Sequence, residues 1–177
     1  MTGMRLLKAL ALSYNPVQDR IVAVVNPGAL DSWSFWLTRR LVLALLGRVP
    51  QELEKTSPLA KQAPSAIRSD LVAFEKEAAI ASTASFMTQT PPDIMRVNAE
   101  AAELAVKVTL TGQGDVYRLE IQGERGGQAG GNLQRVELQR ILQMVEEEAG
   151  KGQWLSAAVA AAPAIDAPAP TPKPVRH

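Results

Sequence analysis

The hydrophobic pattern of this sequence repeats at a constant spacing of 96 residues. In the first copy, apolar residues assigned to one sheet face stand at every second position over residues 10–14 and again over residues 21–25, and the polar segment 15–19 separates the two runs. Alternation with a period of two indicates a strand with one buried face, and two such runs around a polar turn indicate a hairpin. The pattern returns over residues 106–110 and 117–121, so the sequence predicts two hairpin units of the same design.

A helix is predicted to close each copy. The apolar stripes of the two helices match at the same spacing, with Leu138, Ile141, Leu142 and Val145 in the second copy and Val42, Leu45, Leu46 and Val49 in the first. In the first copy a third strand over residues 32–37 precedes Thr38, a residue type that caps helix N-termini. The matching stretch of the second copy is rich in glycine, including Gly130 and Gly131, which predicts a shorter or frayed strand.

Together these patterns predict an α+β fold with two pseudo-repeated units, each a hairpin with a further strand and a helix, around an antiparallel sheet. The units span about residues 5–50 and 101–149 and belong to a single domain of residues 1–155. A helix over about residues 65–86 joins them. Residues 156–177, rich in Ala and Pro, are predicted to be a disordered tail.

Two further segments complete the connection between the copies. Residues 51–64 are predicted to be a polar connection punctuated by proline, and residues 88–98 a loop. The predicted helix between them carries a single apolar stripe, formed by Ile67, Leu71, Phe74, Ala78 and Ala81.

The composition excludes several kinds of chemistry. The chain has no cysteine, and its one histidine is the last residue, His177; this argues against disulfides, thiolate nucleophiles and Cys/His zinc sites. Asp19 and Asp115 occupy predicted turns, where Asp is favoured for hydrogen bonds to the backbone. Because no paired acids stand out, the sequence predicts a protein that is not an enzyme and has no metal or cofactor.

The chain is predicted to be cytoplasmic and to have no membrane partner. Lys8 interrupts the apolar run at the N-terminus, which is therefore predicted to be a strand rather than a signal peptide. The longest apolar run elsewhere, residues 41–46, is far shorter than the roughly 20 residues that span a bilayer. The 19 basic and 18 acidic residues nearly balance, which argues against a strongly basic coat for nucleic acid.

The copies differ on the sheet face turned away from the helices, which we call the outer face. In the first copy it is predicted to be apolar and to carry Ala9, Ala11, Val22, Val24, Ser34 and Trp36. The matching residues of the second copy are largely polar, namely Ala105, Lys107, Arg118, Glu120, Gly130 and Asn132. Because a sheet face stays in water only if it is polar, the first outer face is predicted to be covered. The sequence leaves three covers open: the helix over residues 65–86, a second subunit, or a ligand.

The first functional hypothesis is a non-enzymatic protein-interaction or assembly module that self-associates through the apolar outer face. Its partner is a second copy of the chain or another protein. The candidate interface residues are Trp36, Val22 and Val24, of which the tryptophan is the residue type most typical of energetic centres in interfaces.

The alternative hypothesis rests on topology. The order of strands and helix, given twice over residues 5–149, resembles the repeats of the PUR and Whirly families of single-stranded nucleic-acid-binding proteins. That resemblance implies a dimer that binds single strands on a basic sheet face bearing aromatic side chains. The candidate nucleic-acid contacts are Lys107, Arg118, Arg39, Arg40, Arg135 and Arg140. Single-strand binding combines aromatic and basic groups on one surface, whereas here Trp36 lies in one copy and Lys107 and Arg118 in the other.

Overall fold

The computed structural model describes residues 3–81 and 91–156 of the 177-residue chain. Its strands are β1 (Arg5–Leu6), β2 (Leu10–Asn15), β3 (Arg20–Val25), β4 (Trp33–Thr38), β5 (Glu103–Gln113), β6 (Val116–Gly123) and β7 (Gln128–Gln134). Its α-helices are α1 (Arg39–Thr56), α2 (Pro58–Gln62), α3 (Arg68–Ala81), α4 (Pro92–Ala101) and α5 (Arg135–Lys151), and a short 3₁₀ helix covers Ser65–Ile67. The mixed α+β class is confirmed.

The seven strands form one sheet in the order β1-β7-β6-β5-β4-β3-β2. Strands β2, β3 and β4 form an antiparallel meander, and so do β5, β6 and β7. A short parallel pairing of β4 with β5 joins the two meanders, and a second parallel pairing adds β1 at the edge beside β7. The prediction of a purely antiparallel sheet with fewer strands was therefore wrong, because the pattern of a single strand does not reveal which neighbour it pairs with.

The two edges of the sheet lie close together. Only residues 7–9 separate β1 at one edge from β2 at the other, so the Cα atoms of Leu6 and Leu10 lie at most about 14 Å apart. Asn26, in the left-handed region with φ 50°, holds this crossing. Its side-chain oxygen accepts hydrogen bonds from the backbone N–H groups of Lys8 (2.9 Å) and Ala9 (3.1 Å), and its amide nitrogen donates to the carbonyl of Leu6 (2.8 Å).

The core lies between the inner face of the sheet and helices α1 and α5. The strand residues that alternate with those of the outer face point into this core, and its fully buried members include Ile21, Phe35, Tyr117 and Leu133. The helices contribute the predicted apolar stripes, with Val42 and Val49 from α1 and Leu138, Ile141, Leu142 and Val145 from α5. Helix α3 packs on α5 and α1.

Helix boundaries confirm one prediction and correct another. Thr38 caps α1 as expected, because its hydroxyl accepts a hydrogen bond from the Leu41 N–H. The connection predicted over residues 51–64 was wrong. Helix α1 continues past Pro50 to Thr56, and α2 follows at once. Burial of Leu53 in the main core stabilises the extra turns.

The glycine-rich third strand of the second copy is also longer than predicted. Strand β7 has seven residues. A Cβ atom at Gly130 would lie 2.7 Å from the Leu119 carbonyl oxygen, and one at Gly131 would lie 3.0 Å from the Leu7 carbonyl oxygen. These glycines therefore let neighbouring strands approach closely, and they do not fray the sheet.

The predicted helix over residues 65–86 is present in part. The 3₁₀ turn and α3 occupy residues 65–81, and residues 82–86 lie outside the described residues. Its predicted stripe does not pack inward, since Ile67 is 46% exposed and Phe74 is 65% exposed. Val72 contacts the main core instead.

Two local predictions fail in the connection to the second copy. Helix α4 occupies Pro92–Ala101, where a loop was predicted, with Pro92 in its first turn and Asp93 favourably placed near the N-terminus. An irregularity in β5 between Ala105 and Lys107 turns Ala105 into the core, although it was predicted on the outer face. The tail predicted over residues 156–177 lies outside the described residues from residue 157 onward.

Candidate functional site

Helix α4 covers the apolar outer face of the first meander. Met95, Ala99 and Ala102 pack against a small second core made of Ala11, Val22 and Val24, with Trp36 beside it. Val22 and Val24 are 3% and 0% exposed. The prediction that this face needs a cover is confirmed. None of the three proposed covers was the helix found there, because residues 88–98, which hold most of α4, were assigned to a loop.

The cover is incomplete, and a groove remains between α4 and strands β2–β4. We call it the Trp36 groove, and its volume is about 640 Å³. Its apolar lining includes Leu12, Val22, Trp36 and Met95, and its polar rim includes Ser13, Arg96, Glu100 and Lys151. Trp36 is half-buried and contacts the second core. The indole therefore forms a fixed wall that stays open to solvent on one side.

The rim charges of the groove are paired within the chain. On α4, Arg96 forms an ion pair with Glu100 at 3.5 Å. On α5, Lys151 forms one with Glu148 at 2.6 Å, and the other oxygen of Glu148 accepts a hydrogen bond from the Tyr14 N–H at 2.7 Å. Because β2 is an edge strand, this last bond also blocks part of an edge that would otherwise pair with another chain.

An aromatic cluster holds the far end of β2 in place. The Tyr14 hydroxyl and the Trp154 indole N–H both donate to the same oxygen of Asp19, each at 2.9 Å. The two rings pack edge to face at 5.6 Å. The bonds from Trp154 and Tyr14 lower the pKa of Asp19, and the bond to Asp19 raises the pKa of Tyr14. The cluster fixes the wall of the groove and presents no free acid or base.

A buried carboxylate lies where β4 meets β5. Glu103 is 1% exposed, and it accepts hydrogen bonds from the Trp33 indole N–H and from the backbone N–H of Arg125, each at 2.6 Å. The Arg5 guanidinium stacks over the Trp33 ring at 3.7 Å. A Cβ atom at Gly123 or Gly127 would overlap the Glu103 side chain, so the glycines leave the space that it fills. Because both carboxylate oxygens accept hydrogen bonds from groups of other segments, Glu103 acts as a structural link between them.

Arg135, a predicted nucleic-acid contact, belongs to a buried network. It donates to Glu75 at 2.5 Å, to the Tyr117 hydroxyl at 2.7 Å and to the Leu53 carbonyl at 2.8 Å. Only 14% of its side chain is exposed. Breaking these bonds to reach a phosphate would leave the carboxylate of Glu75 without its cation, so this arginine ties α1, α3, α5 and β6 together.

The other predicted nucleic-acid contacts do not form one surface. Lys107 and Arg118 lie on the bare outer face of β5–β7, where Arg118 pairs with Glu120 at 2.6 Å. No aromatic side chain lies on that face among the described residues. The remaining three, Arg39, Arg40 and Arg140, lie on α1 and α5, which pack against the inner face.

The groove residues that sequence reasoning missed are those of α4. A signal for them was present, because Pro91-Pro92-Asp93 resembles a helix start and Met95, Ala99 and Ala102 follow at helical spacing. Within residues 3–81 and 91–156, no group of acidic or histidine side chains could hold a metal ion. No helix in these ranges is long and apolar enough to cross a membrane.

Comparison with models of protein families, with curated proteins and with solved structures gave no match.

Proposed function

We propose that the protein is a non-enzymatic interaction module that binds a protein partner in the Trp36 groove. The observation that carries this proposal is a half-buried tryptophan in an open groove of about 640 Å³. A partly exposed tryptophan with an apolar floor and a polar rim is the usual anatomy of an energetic centre in an interface.

The charge arrangement favours an apolar segment of the partner. The groove's acidic and basic rim groups pair with each other, as in Arg96 with Glu100 and Lys151 with Glu148. A charged ligand would have to compete with these internal pairs, whereas an apolar side chain placed against Trp36 and Met95 leaves them intact. The groove lacks the unpaired acid and base that catalysis requires.

Self-association through the whole outer face is less well supported than binding in the groove. Val22 and Val24 are buried under α4, so a partner could reach them only after α4 had moved away. Of the three predicted interface residues, Trp36 alone is accessible in the described structure. The proposed interface therefore moves from the sheet face to the groove.

We also infer that the two meander-and-helix units are a duplication. Residues 96 apart occupy equivalent pairs in the two meanders, as Ile21 with Leu37 and Tyr117 with Leu133. The first hairpin turn has four residues and the second has two, so Leu12 in β2 corresponds to Leu110 in β5. The irregularity in β5 adds one residue to that strand and so offsets half of this difference. Superposition of the two units tests this inference.

The nucleic-acid alternative is supported only by the exposed cations Lys107 and Arg118. Arg118 is already paired with Glu120, and the face carries no aromatic side chain among the described residues. If this alternative is right, binding to a mixed pool of single-stranded DNA and RNA falls steeply with salt, because counterions are released. Changing both cations to Glu would then abolish it.

A peptide-display selection against the full chain tests the groove proposal. We expect enriched peptides with a large apolar residue to bind wild type and to lose at least tenfold in affinity with Trp36→Arg, since an interface anchor contributes about 2 kcal/mol or more. The double change Lys107→Glu with Arg118→Glu is the matched control and should leave binding unchanged. Selected peptides that bind both proteins equally would contradict the proposal, as would a selection that yields only binders sensitive to the control.

A further inference from the structure

Strand β5 extends far beyond the strand beside it. It pairs with β6 along nearly its whole length, up to Gln113, but with β4 only at Glu103 and Leu104. Strand β4 ends at Thr38, where the chain turns into α1. On this side, no strand among the described residues pairs with β5 after Leu104. The rest of the strand, residues 105–113, is therefore a free edge inside the sheet, which we call the β5 edge.

Every second residue of the β5 edge directs its backbone groups into the space that β4 leaves. Gln113 and Val116 flank a two-residue turn, so they exchange both of their backbone hydrogen bonds. Because such pairs alternate with pairs that exchange none, Val108, Leu110 and Gly112 point their N–H and C=O groups away from β6. A row of unpaired groups at this spacing matches the backbone of another extended segment.

A groove runs along this edge between β5 and α1, and we call it the β5 groove. Its volume is about 350 Å³. Lys107 and Thr109 line it from the outer face, and Val108 and Leu110 line it from the core side. Because successive residues of a strand point to opposite faces, both sets border one cavity only where the strand lacks a neighbour. The open space therefore lies beside the backbone itself. On the helix side the lining residues are Leu41, Ala44, Leu45 and Arg48.

The charges beside the β5 groove are mainly positive. Arg48 and Lys55 share one carboxylate oxygen of Glu52, at 3.1 and 3.3 Å. Lys107 is exposed and forms no ion pair with any described residue. Two cations thus share one acid, and Lys107 adds a further positive charge. The same edge of a second copy would bring like charges together, whereas a different segment with acidic side chains would be attracted.

We propose that the β5 groove binds an extended, acidic segment of another protein as an added strand. The segment occupies the space that β4 leaves and forms hydrogen bonds with the backbone of Val108 and Leu110. Its apolar side chains pack against Leu41 and Leu45 of α1, and an acidic side chain pairs with Lys107. In strand addition, main-chain bonds supply affinity and contacts of alternate side chains supply specificity. The β5 groove shares no lining residue with the Trp36 groove, so it is a second and separate site.

A display selection of short peptides that each contain Asp or Glu tests this proposal on the full chain. We expect a class of binders that loses at least about tenfold in affinity with Ala44→Glu and with Lys107→Glu, because the first change blocks the groove and the second reverses its charge. Arg118→Glu is the matched control, since it changes a cation of the same outer face on β6, and it should leave these peptides bound. Circular dichroism melting checks that each variant is folded. A selection that yields no such class would overturn the proposal.

Main-chain pairing has a signature that an apolar pocket lacks. Alternate N–H groups of an extended peptide point to opposite sides, so N-methylation of one alternate set should cost at least about tenfold in affinity and N-methylation of the other set should be tolerated. In the complex, the amides of Val108 and Leu110 should exchange with deuterium at least about tenfold more slowly. An equal effect of the two methylated sets, or unchanged exchange at these amides, would contradict strand addition. Binders that are lost with Trp36→Arg but kept with Lys107→Glu belong to the Trp36 groove, so each proposal can fail alone.

Discussion

The two meanders have the same strand order, but their outer faces differ in whether a helix covers them. On β2–β4 the face is apolar, and α4 covers most of it. On β5–β7 it carries Thr109, Thr111, Arg118, Glu120 and Gln122 and has no cover among the described residues. A sheet face can thus remain exposed to water when its outward side chains are polar, and it is covered by a helix when they are apolar.

The contrast also explains why α4 exists. On its own, α4 would be only marginally stable. No side chain caps its N-terminus, and an isolated helix of ten residues is marginal in water. Packing of Met95, Ala99 and Ala102 on the second core supplies the missing stability. Because ten residues cannot cover three strands completely, the Trp36 groove is left at the edge of the cover.

An exchange of matched residues between the two faces should give the largest effect. Val24, which is fully buried, and Glu120, which is partly exposed, are 96 residues apart and occupy the same place in β3 and β6. Val24→Glu should lower the free energy of unfolding by about 3–5 kcal/mol, because it buries an unpaired charge. Glu120→Val should change it by no more than about 0.5 kcal/mol. Urea titration measures both, and similar losses in the two variants would refute the contrast between the faces.

A change beside the buried Glu103, where β4 of the first meander meets β5 of the second, should have an intermediate effect on stability. Gly127→Ala places a Cβ atom where the Glu103 carboxylate and the Trp33 indole now lie, and overpacking of this kind costs about 1–3 kcal/mol. Gly150→Ala in α5 is the control, since a Cβ atom there meets nothing within 4 Å. Alanine is favoured over glycine in a helix by about 1 kcal/mol, so this variant should be slightly more stable. A Gly127→Ala protein as stable as wild type would show that Glu103 can move at little cost.

Short-range patterns predicted the local elements well. Alternation in residues 10–14 and 21–25 placed β2 and β3, and the stripe ending at Val145 placed α5. The alternation that places Val22, Val24 and Trp36 on the same sheet face also predicted that this outer face needs a cover. These predictions succeed because side-chain direction follows from the period of the element alone.

The remaining features depend on contacts between distant segments. The parallel pairing of Phe35 with Glu103 joins residues far apart in sequence, and no strand pattern encodes it. Gly130 and Gly131 were misread as weak strand residues because the close approach of Leu119 in β6 and of Leu7 after β1 depends on tertiary structure. Helix α4 was missed because its two leading prolines were taken as loop signals, although proline is also favoured in a first helical turn.

The claim that α4 is the cover of the first outer face has one direct test. Met95 points into the second core and Val97, on the same helix, is 57% exposed. We expect Met95→Asp to lower the free energy of unfolding by about 2 kcal/mol, because it removes a packed methionine. Val97→Asp should shift it by no more than about 0.5 kcal/mol. The measurement is urea unfolding of the two variants beside wild type. Equal stability of Met95→Asp and Val97→Asp would contradict the account, because α4 would then not be covering the sheet.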